Sequence, residues 1–408
     1  MRPQEFLNEA ISLSARLIAH YRYLHEHAEL GFSLPKTTEY VRTELEKLGL
    51  SPKSCGKSGI VATIGKGGGS CFLLRADMDA LPIKEESSVP FAHTGDNMHA
   101  CGHDMHTAML LGAAELLKHH EDELCGTVKL MFQPAEETLE GAADMIKNGV
   151  LEDPSVDAAM MIHVLSAMPF RAGTTLISAP GVSAPAADYF SIHVHGKGSH
   201  GATPHLGIDP ISVAAHLLLA LQNIHARELA SSDEAVLTVG KLESSSKAAN
   251  VIPDRVTMEG TLRASKDDIR DFLKKRMREI TASIAEAFGA RAEVIFEKGC
   301  PTLMNDEALS KSVRNFTVEL LGEINAFSTK EIPNAGESGE KSVKGSGSED
   351  FAYISHAVPS VMVAMAAGET AKGFSFPQHH PKVKFDENAL PIGAAVYAWN
   401  AIRFLESR

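Results

Sequence analysis

Cys101-Gly102-His103-Asp104-Met105-His106 and Gln133-Pro134-Ala135-Glu136-Glu137 are the stretches that decide how this chain folds. Each follows an apolar, strand-like run. Phe72-Leu73-Leu74, with Asp77 and Asp79 just beyond, precedes the first, and Val128-Lys129-Leu130-Met131-Phe132 leads straight into the second. Thr107 to His119 then carries apolar residues at helical spacing, so the first motif enters a helix whose free amides and dipole favour ionised ligands nearby. Strand, polar loop, helix is the alternation of an α/β protein, which gathers its chemistry at strand ends.

Working outward, residues 1–183 alternate the same two elements. Helices are predicted over Pro3–Glu26 and Lys36–Leu48, and strands over Gly59–Ile64, Cys71–Arg75, Thr127–Phe132 and Ala158–His163. The character changes near Gly181-Val182-Ser183. From there the expected order is strand Asp188–His195, helix Pro210–Arg227, strands Ala235–Leu242 and Arg255–Arg263, helix Asp267–Phe288 and strand Arg291–Glu297. That βαββαβ series is of the ferredoxin-like kind and reads as an insertion. The larger unit resumes at about Gly299 with a helix over Leu309–Leu321, a Gly/Ser/Lys-rich surface loop over Asn334–Gly347 and a strand over Ser360–Ala366. A polar loop ending in His379-His380-Pro381 and a helix from Glu387 complete the chain. The expected domains are therefore 1–183 with 299–408, and 184–298.

Bulk composition narrows the class. A chain of 408 residues, 44% hydrophobic and 22% charged, buries a sizeable core and suits two or three domains. Thirty-nine basic against 52 acidic side chains give a net charge of -13, which offers no field for nucleic acid. Five scattered cysteines make a poor disulfide framework and fit a reducing compartment. The first apolar stretch carries Glu5, Glu9 and Arg16 and reads as an amphipathic helix, not a signal peptide. No apolar run approaches the length of a membrane span, so a cytoplasmic enzyme is expected.

Thiolate sulfur, imidazole nitrogen and carboxylate oxygen are the ordinary ligands of zinc. Cys101, His103, Glu137, His163 and His379 supply five such groups from separate strand-to-loop boundaries. Five exceed a four-ligand structural site and suit two divalent ions, with Cys101 able to lie between them. A zinc that merely staples loops leaves Glu136 unexplained. Pro134 marks a backbone turn that lets two consecutive glutamates face one point, so Glu137 can bind metal while Glu136 takes a proton from water. Asp77, Asp79 and Asp104 are candidates for orienting the ligand imidazoles through their other nitrogen.

The chain resembles the M20 family of metallopeptidases, in particular the amidohydrolase branch of hippurate hydrolases, N-acyl-amino-acid amidohydrolases and plant auxin-conjugate hydrolases. The resemblance rests on RADMDALPIKE, MHACGHDMHTAMLLGAA, FQPAEE, GKGSHGATPHLGIDP, NVIPD and SEDF, with RYLHEHAELGF near the start, and spans essentially the whole chain. It implies a mixed-sheet, zinc-peptidase-like catalytic domain with the ferredoxin-like insertion acting as a lid and dimerisation surface. By resemblance Cys101 would bridge two ions, His103 and His163 favouring one, Glu137 and His379 the other. His379 is preferred to His380 because the family places its ligand immediately before the residue that precedes proline. His200 would stabilise negative charge on the reacting carbonyl oxygen, and Asn250 and Arg263 would contact substrate, Arg263 through its carboxylate. Two stretches depart from the family: His27-Ala28-Glu29 lacks the usual middle proline, and Glu337–Lys344 is unusually charged.

The expected reaction is metal-dependent hydrolysis of the amide bond of an N-acyl-amino acid, with Glu136 as base and then as acid to the leaving amine. Two ions per subunit are expected, zinc or manganese before cobalt or nickel. The expected partners are a small-molecule substrate and a second copy of the chain, with no nucleic acid and no membrane. A dipeptidase or carboxypeptidase would use the same centre but accept a free α-amino group. A metal-dependent binding module would have no use for Glu136, and a covalent cysteine mechanism lacks a dedicated base beside Cys101.

Overall fold

The computed structural model describes residues 2–331 and 347–408. Most of the Gly/Ser/Lys-rich loop, including the charged stretch 337–344, lies outside the described residues. The chain divides into two compact units. Among the described residues the first comprises 2–183, 304–331 and 350–408, and the second 184–303 with 347–349.

An eight-stranded mixed sheet runs through the first unit in the order Lys53–Cys55, Gly59–Ile64, Thr127–Gln133, Cys71–Asp77, Ala158–Leu165, Ser360–Ala366, Thr175–Ile177, Ala326–Ser328. The four central strands are mutually parallel. Cys71–Asp77 and Thr127–Gln133 are buried at every residue, as expected where helices cover both faces of a sheet. The helix His103–His119 is buried from His103 to Leu117 and packs against Ala389–Glu406, whose sequence is almost wholly apolar.

A lysine is among the charged residues buried in this core. Lys129 sits mid-strand, and its ammonium donates to the carbonyls of Val150 at 3.0 Å, Glu152 at 2.5 Å and Pro154 at 2.7 Å. Burial lowers its pKa, and the three carbonyl dipoles offset the cost of taking the charge out of water.

Local structure departs from the sequence expectation where side chains or short lengths override periodicity. The first helix breaks at Leu13 into Pro3–Ser12 and Ser14–Glu26. Ser12 Oγ donates to the Glu9 carbonyl and Ser14 Oγ to that of Ile11, competing with the helical ladder. The helix after the cysteine motif starts at His103 itself. In the second unit, Pro210–Asn223 gives way to a π turn over Ile224–Glu228. The three-residue sheet strands are too short for alternation to reveal.

The second unit has a four-stranded antiparallel sheet in the order Ala235–Ser244, Arg255–Ala264, Ala186–His195, Arg291–Cys300. The helices Pro210–Asn223 and Asp267–Ala287 pack on it, the latter burying Ile269, Leu273, Met277, Thr281 and Ala285 in one stripe. This is the ferredoxin-like arrangement that the βαββαβ order implied. Apart from the sheet, Ser199–His200 pairs with Val251–Ile252. All five cysteines are free thiols, and among the described residues no helix is long and apolar enough to cross a membrane.

Candidate metal centre

Beyond the ends of the central parallel strands, two backbone devices bring donor atoms together. After Thr127–Gln133, Pro134 ends the pairing and Ala135 takes a positive φ of 54°. Its amide donates to Gly31, and the amides of Glu140 and Gly141 return to its carbonyl. Gly141 is obligatory here, since a Cβ on it would lie 1.6 Å from the Pro134 carbonyl oxygen. The amides of Glu136 and Glu137 then donate to the two oxygens of Asp79, at 2.9 and 3.2 Å. One carboxylate thus fixes both glutamates.

The second device is Gly102, which takes φ 92° between Cys101 and the first helical residue, His103. A Cβ there would lie 2.4 Å from Val164 Cγ2 and 3.1 Å from Phe385 Cζ. Both the left-handed backbone and the close packing require glycine.

Cys101 belongs to two clusters whose possible ligand atoms lie within 4.8 Å of one another, one with His103 and His163, the other with Glu137 and His379. Cys101 Sγ is 3.5 Å from His163 Nε2, and His379 Nε2 is 3.7 Å from Glu137 Oε1. His103 Nε2 lies 3.8 Å from Glu136 and 3.9 Å from Glu137. His380 is engaged elsewhere: its Nδ1 accepts the Lys382 amide and its ring stacks on Phe376.

Hydrogen bonds fix which ring nitrogens face this point. His103 Nδ1 donates to the Asp79 carbonyl at 2.8 Å and His163 Nδ1 to the Val164 carbonyl at 2.8 Å, so each turns Nε2 inward. His103 Nε2 and Glu137 Oε1 are buried without a hydrogen-bond partner. Burial pushes the Cys101 thiol up and Glu137 up to about 7, and drops His163 to about 3. At His103 burial is outweighed by Asp77 and Cys101, which favour positive charge there. The neutral His163 imidazole, a thiol and a carboxyl that resist ionising, and two orphaned buried atoms share one remedy. A cation would satisfy all of them, and this donor set fits one.

The three aspartates divide differently from the sequence expectation. Asp79 serves His103 through its carbonyl and the glutamates through its carboxylate. Asp77 accepts from His106 Nδ1 at 2.6 Å and from Arg75 at 2.7 Å, and lies 3.6 Å from His103 Nε2. Burial disfavours its charge, but His103, Arg75 and His106 hold its carboxyl well below the usual range. The expectation for Asp104 needs correction. It faces His25 Nδ1 at 2.6 Å and not a ligand imidazole, because adjacent residues on a helix point in different directions.

Two buried networks were not foreseen. Fully buried Arg75 binds Asp77, Gln133 and, at 3.0 Å, Asp350, whose other oxygen takes the Ala142 amide. His25 bridges Asp104 and Glu85, which push its pKa up to about 9 against the opposing effect of burial. Arg75, Asp350, His25 and Asp104 all lie in the quoted motifs, which was the available signal. His106, also in the motif, accepts the Val164 amide on Nε2 and so positions that strand.

The remaining site candidates belong to the second unit. His200 is exposed, and its Nδ1 accepts the Ala202 amide at 3.0 Å, leaving Nε2 as the protonated nitrogen. The Asn250 carbonyl accepts the Gly201 amide, and Arg263 donates to Ser348 Oγ at 3.0 Å.

Comparison with known proteins places these observations in company. The model of Peptidase family M20/M25/M40 matches residues 73–401. The N-acetyl-L-cysteine deacetylase of Bacillus subtilis is 37% identical, covering 97% of this chain and 90% of its own. The IAA-amino acid hydrolase ILR1-like 4 of Arabidopsis thaliana is 38% identical, covering 94% and 84%. The solved structure of the Bacillus subtilis YXEP protein, described as a dinuclear metal binding peptidase from the M20 family, has a TM-score of 0.74 at 32% identity and covers 97% and 99%.

Proposed function

This chain belongs to Peptidase family M20/M25/M40, and from that premise we propose that it hydrolyses the amide bond of N-acyl-amino acids, releasing a carboxylic acid and a free amino acid. The observation that carries the reading is the Asp79 carboxylate holding the amides of Glu136 and Glu137 together, so that one glutamate faces the donor cluster and its neighbour stands beside it. The similarity to an N-acetyl-L-cysteine deacetylase and an IAA-amino acid hydrolase supports the same substrate class.

Two divalent ions, zinc or manganese, would be held by Cys101, His103, Glu137, His163 and His379 and would supply Lewis-acid polarisation of the amide carbonyl. Glu136 takes the proton of the attacking water and delivers it to the leaving nitrogen as the carbon–nitrogen bond breaks. Its burial suits both halves of that role, since a proton held there is shielded from bulk water. Asp79 and Arg75 keep the surrounding carboxylates in place. His200, with Nε2–H free, donates to the oxygen that becomes negative. The second unit acts as lid and dimerisation surface, and Asn250 contacts substrate.

The test is amine release from N-acetyl- and N-benzoyl-amino acids and from unblocked dipeptides by metal-reconstituted protein. Hydrolysis of blocked substrates is expected, with Glu136→Gln lowering kcat by about 10²–10⁴ while metal content stays unchanged. Turnover confined to dipeptides would replace the reading with a peptidase. Full activity in Glu136→Gln would sink the assignment of the base.

A further inference from the structure

Val164 follows the proposed ligand His163 near the end of the strand Ala158–Leu165. The neighbouring strand Cys71–Asp77 pairs with it only as far as Met161, so the backbone of Val164 is left to side chains on that side. Its amide donates to His106 Nε2 at 2.8 Å. Its carbonyl accepts twice, from His163 Nδ1 at 2.8 Å and from Gln378 Nε2 at 2.6 Å. A carbonyl oxygen has two lone pairs, and both are spent here on N–H donors. One bond turns His163 Nε2 towards the donor cluster. The other comes from the residue just before the proposed ligand His379.

His379 needs such an anchor more than the other imidazoles do. His103 is wholly buried and packed in place, whereas the His379 side chain is 55% exposed, so little packing aims it at Glu137. Its direction has to come from its backbone, which takes a positive φ of 65°. A residue with a Cβ stays in that region only where its surroundings hold it there. Ser375, Phe376 and Pro377, which lead into it, are exposed. Two bonds do the holding: the His379 amide donates to the Ala100 carbonyl at 2.9 Å, and the Gln378 side chain donates to Val164. The late loop is thereby fastened on one side to the neighbour of Cys101 and on the other to the neighbour of His163.

We propose that Gln378 is a positioning residue for His379, keying its loop to the same carbonyl that orients His163, an inference that rests on the metal-dependent reading. The consequence is one-sided. Without the Gln378 amide, His163 keeps its own bond to Val164, but His379 is left with the Ala100 bond alone. An ion held by Cys101, Glu137 and His379 is therefore weakened, and one held by Cys101, His103 and His163 is not.

The experiment is calorimetric titration of the metal-stripped full chain with zinc, on wild type, Gln378→Met and Ser166→Ala. Gln378→Met keeps the length of the side chain and removes the donor. It is expected to weaken one of two zinc sites about 10- to 100-fold and leave the other at wild-type affinity. The melting temperature of the metal-free protein should move by no more than about 2–4 °C, the worth of one hydrogen bond. Ser166 Oγ donates to the Lys384 carbonyl at 2.9 Å, further along the same loop, so Ser166→Ala loosens that loop elsewhere and should leave both sites unchanged. Unchanged zinc affinity in Gln378→Met, an equal loss at both sites, or the same loss in Ser166→Ala would overturn the inference and leave the two-ion reading standing. No zinc bound by wild type would remove that reading and the role of Gln378 with it.

Discussion

Asp77 in the first unit and His200 in the second show two ways of holding a functional group. Asp77 is buried, and both of its oxygens are committed, one to His106 and the other to Arg75, which ties in turn to Gln133 and Asp350. His200 is exposed on a strand of two residues, with one backbone bond to fix its tautomer. The first arrangement is finished before a substrate arrives, because any movement would leave a charge unpaired in a dry interior. The second, on the proposed reading, is finished by the substrate that binds to it. Burial with a complete set of partners gives precision, and exposure on a short ladder leaves room for recognition.

That contrast can be broken by measurement, and the largest effect is expected at Arg75. Replacing it by Met leaves Asp77 and Asp350 buried without their cation and should cost about 3–5 kcal/mol in denaturant unfolding. A loss below about 1 kcal/mol would mean that the network is not the first unit's keystone.

The next effect is a pH dependence. His25 is raised to about 9 from an ordinary 6.5 by Asp104 and Glu85, burial opposing. Its stabilising contribution is therefore fully present below about pH 6.5 and lost as pH rises through about 9, amounting to at most about 3 kcal/mol. Unfolding free energies measured from pH 6 to 10 should fall across that window in wild type and fall less in His25→Gln. Parallel curves would remove His25 from the account.

In the second unit, His200→Ala should lower kcat about a hundredfold with no change in melting temperature, the signature of a group that touches the reaction and not the core. A stability loss of several kcal/mol would erase the contrast with Asp77. The smallest effect sharpens the comparison within a single unit. Arg22 pairs with Glu387 at 2.7 Å but stands largely in solvent, so Arg22→Ala should cost less than about 1 kcal/mol. Burial, not membership of the first unit, then decides what a charge pair contributes.

How much of this could be read from the chain depended on the distance over which each feature is encoded. Cys101 with His103, and Glu136 with Glu137, were legible as candidates because the type and spacing of each pair lie within one motif next to an apolar run. The βαββαβ order was legible because each strand and helix is long enough for its period to register. The link from Arg75 to Asp350 was not, since nothing in either local sequence names the other. Asp104 was a candidate for orienting a ligand imidazole, and only the helix geometry turns it towards His25. The break at Leu13 escaped because two serine hydroxyls, not a change in apolar spacing, produce it.

Gly102 carries a consequence for reading unfamiliar genomes. Two donor residues at the right spacing are easily matched, yet here they converge only because the residue between them has no side chain to strike Val164 and Phe385. A chain that keeps the cysteine and the histidine but places any larger residue between them has lost this spatial relation, and should not be credited with the same chemistry on its donors alone.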